Sequence, residues 1–135
     1  MSLERFVEAQ DPVYARVCAE LRNGAKRTHW MWFVFPQIEG LGHSEMARRY
    51  AIASLEEAQE YLAHPILGAR LRECVEILNG VEGRSISQIM GYPDDMKLRS
   101  SLTLFARATP DNKVFLDGLD RYYGGELDTE TLRRL

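Results

Sequence analysis

An all-α domain of about eight short helices is what this sequence predicts, on three observations. Helix caps recur along the chain, apolar residues repeat at three- and four-residue spacing, and only one stretch has the composition of a strand. Asp11-Pro12 sets a capping carboxylate before a proline suited to a first helical turn, and Gly24 stands where a left-handed stop belongs. Between them Tyr14, Val17, Cys18 and Leu21 fall at i, i+3, i+4 and i+7, one face of a helix. The aromatic run from His29 to Phe35 alternates in part and has high strand propensity. A lone strand has no partner for its backbone, so the run is assigned to a short helix opened by Thr28. Phe35 precedes Pro36, which disfavours helical geometry and ends the helix there.

Ser54-Leu55-Glu56-Glu57 reads as a capping box, and Ser85-Ile86-Ser87-Gln88 repeats the device. Pro65 fits the first turn of a helix whose stripe is Leu67, Leu71, Cys74, Val75 and Leu78, closed by Asn79-Gly80. Another helix begins near Pro93. Asp111 is placed to cap a segment carrying Val114, Phe115, Leu119, Tyr122 and Tyr123, which Gly124-Gly125 stops, and Asp128 opens a short terminal helix. The intervening loops are short and no shift in composition marks a linker, so residues 1–135 read as one domain.

Of the 135 residues, 45% are apolar and 27% charged, with 17 basic against 20 acidic side chains and a net charge of −3. A chain of this length hides roughly two-thirds of its unfolded surface, enough for a core without disulfide or metal staples. The weakly acidic balance argues against a nucleic-acid polymer as partner. The longest apolar run, Trp30 to Phe35, is too short to span a bilayer, so no membrane partner is expected. Glu4, Arg5 and Glu8 interrupt any secretory apolar block near the start, which makes the cytoplasm the expected location. Cys18 and Cys74 lie on apolar helical faces and read as inert buried thiols. The sequence lacks zinc and calcium motifs, a phosphate loop and a dinucleotide fingerprint, so neither metal nor cofactor is expected.

Two regions could carry chemistry. On the helix near Pro93, Asp94, Leu98, Ser101 and Phe105 share one stripe, with Lys97 on its flank. Asp94 and Ser101 either satisfy neighbouring backbone, Ser101 through the carbonyl of Lys97, or line a pocket wetted by ligand. Lys97 can meet a carboxylate or phosphate, or serve as a nucleophile once desolvated. In the aromatic run, Trp30 and Trp32 are either core or a wall that stacks on a flat ligand. His29 is the acid–base candidate, with Lys26 and Arg27 upstream to neutralise an anionic substrate.

The segments Lys26-Arg27-Thr28-His29-Trp30-Met31-Trp32-Phe33-Val34-Phe35-Pro36-Gln37 and Asp94-Asp95-Met96-Lys97-Leu98-Arg99-Ser100-Ser101-Leu102-Thr103-Leu104-Phe105 resemble the family called domain of unknown function 1810. The likeness extends to Phe6 and Gln10, Tyr61-Leu62-Ala63-His64-Pro65 and Tyr122-Tyr123-Gly124-Gly125, nearly the whole chain. It implies a mainly α-helical single domain and brings no activity with it. Lys97-Leu98 also echoes the helical NADAR family, whose members act on ADP-ribose attached to other groups. Two residues carry no activity over, but they make ADP-ribose a ligand to test.

Two functions follow as expectations. One is a pocket for a small anionic or nucleotide-like ligand, with hydrolytic or acid–base chemistry, formed where His29, Trp30 and Trp32 meet Lys97, Asp94 and Ser101. The other is a non-enzymatic interaction module that docks a partner on the aromatic run and the loop 37–43, where Ile38 and Leu41 would be exposed.

Overall fold

In the computed structural model, which describes residues 2–135, ten helices follow one another in the chain. They are α1 Glu4–Gln10, α2 Tyr14–Arg22, α3 Met31–Val34, α4 Glu45–Arg49, α5 Leu55–Ala63, α6 Leu67–Asn79, α7 Ile86–Met90, α8 Asp94–Ala108, α9 Lys113–Tyr123 and α10 Thr129–Arg133. The two beyond the expected eight, α1 and α4, have clear reasons to escape a search for capped apolar stripes. The N-cap residue of α1, Leu3, supplies no side-chain hydrogen bond. In α4 the Ser44 hydroxyl accepts from the Ala47 amide at 3.1 Å, yet the helix buries none of its residues.

α8 is the centre of the molecule. It is buried on every side from Ser100 to Ala106, with α5, α7, α9 and α10 packed around it. A helix wrapped this way has no solvent face for its polar residues, and Ser100 and Thr103 bond within the protein instead. Thr103 Oγ1 donates to the Arg99 carbonyl at 2.8 Å and accepts from the Asp128 amide at 2.9 Å, and Ser100 Oγ donates to Asp128 Oδ2 at 2.9 Å. α6 packs against α2, α5 and α9, and Phe6, Trp30, Phe35, Tyr61, Phe105 and Phe115 fill one continuous core.

Local capping chemistry matches the sequence at several ends. Ser85 and Gln88 form a complete reciprocal box, Asp128 accepts from the Thr131 amide, and Gly24 and Gly124 take positive φ of 64° and 62°. Elsewhere other partners take up the expected caps. Glu57 reaches the amide of Ala53 and not that of Ser54. Asp11 pairs with Arg70 at 2.8 Å while α2 starts at Tyr14. Asp111 does not cap α9, which begins at Lys113, and the Asn112 amide group instead ties the turn to the Ala106 carbonyl. His64, ahead of Pro65, uses Nδ1 to accept from the amides of Ile66 and Leu67 at the start of α6.

The aromatic run is helical as expected, but only over Met31–Val34, and Thr28 does not open it. Immediately after Pro36 the backbone pairs in parallel with a distant segment. Ile52 N–H donates to the Gln37 carbonyl at 2.9 Å, and Glu39 N–H donates to the Ile52 carbonyl at 2.8 Å. This bridge pins the loop that follows the aromatic helix against the core. Ile38 is therefore buried and Leu41 half-buried, so the exposed pair expected of an interaction loop is absent.

Candidate functional site

The site is assembled from the bottom by a carboxylate that sequence reasoning missed. Glu20, on α2, is almost fully buried. Its Oε1 accepts from the amides of Arg27 and Thr28 at 2.9 and 3.1 Å and from Trp30 Nε1 at 2.9 Å, and its Oε2 accepts from Thr28 Oγ1 at 2.7 Å. Burial pushes the carboxyl up, but these four donors outweigh it and hold the group down at about 2. The anion thus shapes the turn that delivers Lys26 and the aromatic helix. Its sequence signal was present: Glu20 lies three residues from Val17 and next to Leu21, on the apolar face of α2.

Lys26 and α8 then meet. Lys26 Nζ lies 2.9 Å from Asp94 Oδ2, and Lys97 Nζ lies 3.9 Å from Asp94 Oδ1. Each ammonium also faces an indole, Lys26 at 5.1 Å from the Trp30 ring and Lys97 at 5.9 Å from the Trp32 ring. Asp94 therefore sits between two cations, each backed by a tryptophan. The Lys26 side chain is only 7% exposed, so its charge is spent on Asp94, whereas Lys97 keeps 29% of its side-chain surface open.

Lys97 borders two adjoining hollows. The smaller, about 110 Å³, is lined by Trp32, Phe35, Gln37, Arg48 and Tyr50 among others. The larger is a cleft of about 550 Å³ between the start of α8 and the loop after Pro36, with Gln37, Leu41, Tyr92, Met96, Tyr123 and Glu130 on its walls. Gln37 lines both, as Lys97 does. The Tyr123 hydroxyl donates to the Asp95 carbonyl, and burial and then the Asp95 charge push its ionisation upward, so it stays a neutral donor.

The six residues singled out in the sequence are thus divided. Lys97, Trp32 and Asp94 come together, although Asp94 lies behind Lys97 and lines neither hollow. Trp30 is core, its ring buried and its N–H committed to Glu20. His29 is exposed and borders neither hollow. Ser101 is also buried away from both, and its Oγ has no protein partner, so it neither lines a hollow nor makes the alternative bond to the Lys97 carbonyl. A buried hydroxyl without a partner costs free energy, so Ser101→Ala is expected to leave stability unchanged or raise it by up to about 1 kcal/mol, read by urea denaturation. A loss of comparable size would show that the hydroxyl has a bonding role. Among the described residues no group of three or more His, Cys, Asp and Glu side chains is arranged to hold a metal ion. No helix among them is long and apolar enough to cross a membrane.

Fold and site together define an all-helical domain with a lysine-edged cleft beside an aromatic helix. The chain belongs to the family described as "Protein of unknown function (DUF1810)", which matches residues 1–135. It is similar to the crystal structure of the conserved hypothetical protein Rv1873 from Mycobacterium tuberculosis, at 60% identity and a TM-score of 0.97, over 98% of this chain and 95% of that one. Comparison with curated proteins finds no match.

Proposed function

We propose that the protein binds a small anionic ligand carrying a flat ring, with Lys97 as its anion contact. The observation that carries this reading is the position of Lys97 at the junction of both hollows, held there by Asp94 and the Trp32 ring. Arg48 adds a second cation to the smaller hollow, so a phosphate or carboxylate fits there, while the larger cleft takes the rest of the molecule. Tyr92, 81% exposed on the rim, offers a face for ring stacking. Proton transfer at this site would fall to Lys97 or to the carboxylates of Asp95, Asp128 and Glu130, since His29 lies elsewhere.

Calorimetric titration with inorganic pyrophosphate, ADP, ADP-ribose and sugar phosphates tests the proposal. Lys97→Ala is expected to weaken the best of these by tenfold or more, about 1.4 kcal/mol, and His29→Ala to leave it unchanged. Equal affinity in native and Lys97→Ala proteins would sink the assignment. Binding should also alter the fluorescence of Trp32, and this signal should vanish in Trp32→Phe.

A second reading, a non-enzymatic interaction surface, is favoured by the exposed pair Tyr92 and Met96 on the same rim. It moves the docking face away from Ile38, which is buried. Absence of any small-molecule binding in the titrations would raise this reading above the first.

A further inference from the structure

The two cysteines of the chain, 56 positions apart in sequence, lie on two helices that pack together, Cys18 on α2 and Cys74 on α6, and both border the Tyr14–Glu73 pair. Both are free and buried. They are part of a bonded cluster and not of an apolar contact alone. Cys18 Sγ lies 3.9 Å from Glu73 Oε1, Cys74 Sγ lies 4.0 Å from the Tyr14 hydroxyl, and that hydroxyl donates to Glu73 Oε1. The cluster is polarised between the two sulfurs. Contact with Cys74 dominates and draws the Cys18 thiol down to about 6, against the opposing effect of burial, while the same contact and burial push Cys74 up. One thiol is thus poised to react as thiolate and the other to stay protonated until needed.

We propose that Cys18 and Cys74 form a peroxide-reactive dithiol site, with Cys18 as the attacking thiol and Cys74 as the resolving thiol. Cys18 keeps a small opening, 5% of its surface, whereas Cys74 has none. The oxidant must therefore be as small as hydrogen peroxide and must meet Cys18 first. The Cys18 thiolate attacks one peroxide oxygen, an S–O bond forms as O–O breaks, and hydroxide takes a proton to leave as water. The Cys74 sulfur then attacks the sulfenic sulfur, S–S forms as S–O breaks, and the second oxygen leaves with a proton as water. The sum is two thiols and one hydrogen peroxide giving one disulfide and two waters. The product staples α2 to α6.

The test exposes the native, reduced protein to one equivalent of hydrogen peroxide at pH 7, then unfolds it in excess N-ethylmaleimide for intact-mass and peptide analysis. The expected product has lost two hydrogens, carries no maleimide, yields a Cys18–Cys74 cross-linked peptide, and returns to the dithiol with dithiothreitol. Its melting temperature should exceed that of the reduced protein by about 5 °C or more. In Cys74→Ser the same treatment should stop at a Cys18 sulfenic acid, which dimedone present during unfolding traps. Two maleimide adducts, a stable oxidised Cys18 beside an alkylated Cys74, or a disulfide only between molecules would each overturn the proposal.

Discussion

Gly68→Ala is expected to weaken the protein severely, although alanine is the better helix former by about 1 kcal/mol. A methyl at position 68 would lie 2.1 Å from the Leu62 carbonyl oxygen and 2.9 Å from its carbon. Both atoms belong to the backbone of α5, so no side chain can rotate to make room. The last turn of α5 would have to lift from α6, opening contacts around the buried Leu67 and Leu71. A loss of about 3 kcal/mol or more is expected, which lowers the melting temperature by roughly 10 °C in a domain of this size. A thermal scan of the variant checks this. A midpoint within about 2 °C of native would mean that the two helices separate at little cost.

The second large effect is expected at Glu20, where Glu20→Gln keeps the size of the side chain and removes its charge. The native carboxylate accepts four hydrogen bonds. An amide offers a single oxygen and turns an NH2 group toward donors that then lack a partner. Folding lowers the carboxyl from 4.5 to about 2, which corresponds to roughly 3 kcal/mol at neutral pH. The sign follows from that direction. The stabilisation is complete above the unfolded value of 4.5 and is lost as pH falls through the folded value near 2. Urea unfolding at pH 7 should therefore separate native from variant by roughly 3 kcal/mol, and the gap should shrink steadily below about pH 4.5. A gap that stays constant down to pH 2.5 would show that shape, and not charge, makes Glu20 necessary.

These two positions indicate which features were legible from residue order. Helices at Ser54, Ser85 and Asp128 could be placed because a cap and its amide are three residues apart, and the same holds for the stops at Gly24, Gly80 and Gly124. Gly68 gives no such signal, since the atom that forbids a side chain there belongs to another helix. Asp11, Thr28 and Asp111 have the residue types of caps, but distant partners or a shifted start took them out of that role. The candidate site divides along the same line. Residue type and position make Lys97 and Trp32 candidates, and the structure brings both to one hollow, whereas the charge of the nearby Lys26 is consumed by Asp94.

Residue types, spacing and periodicity sufficed for the all-helical class and many of the helix ends, because these depend on contacts within a turn or two of chain. The tertiary structure alone decided that Trp30 is core and Trp32 is wall, that His29 faces away, and that Ser101 is sealed without a partner. It also decided that Glu20 gathers the amides of Arg27 and Thr28 and the Trp30 N–H, and that Asp94 lies between Lys26 and Lys97. Which face of a short helix is covered depends on neighbours tens of residues away. Burial and charge pairing are properties of that assembled packing and of no single segment.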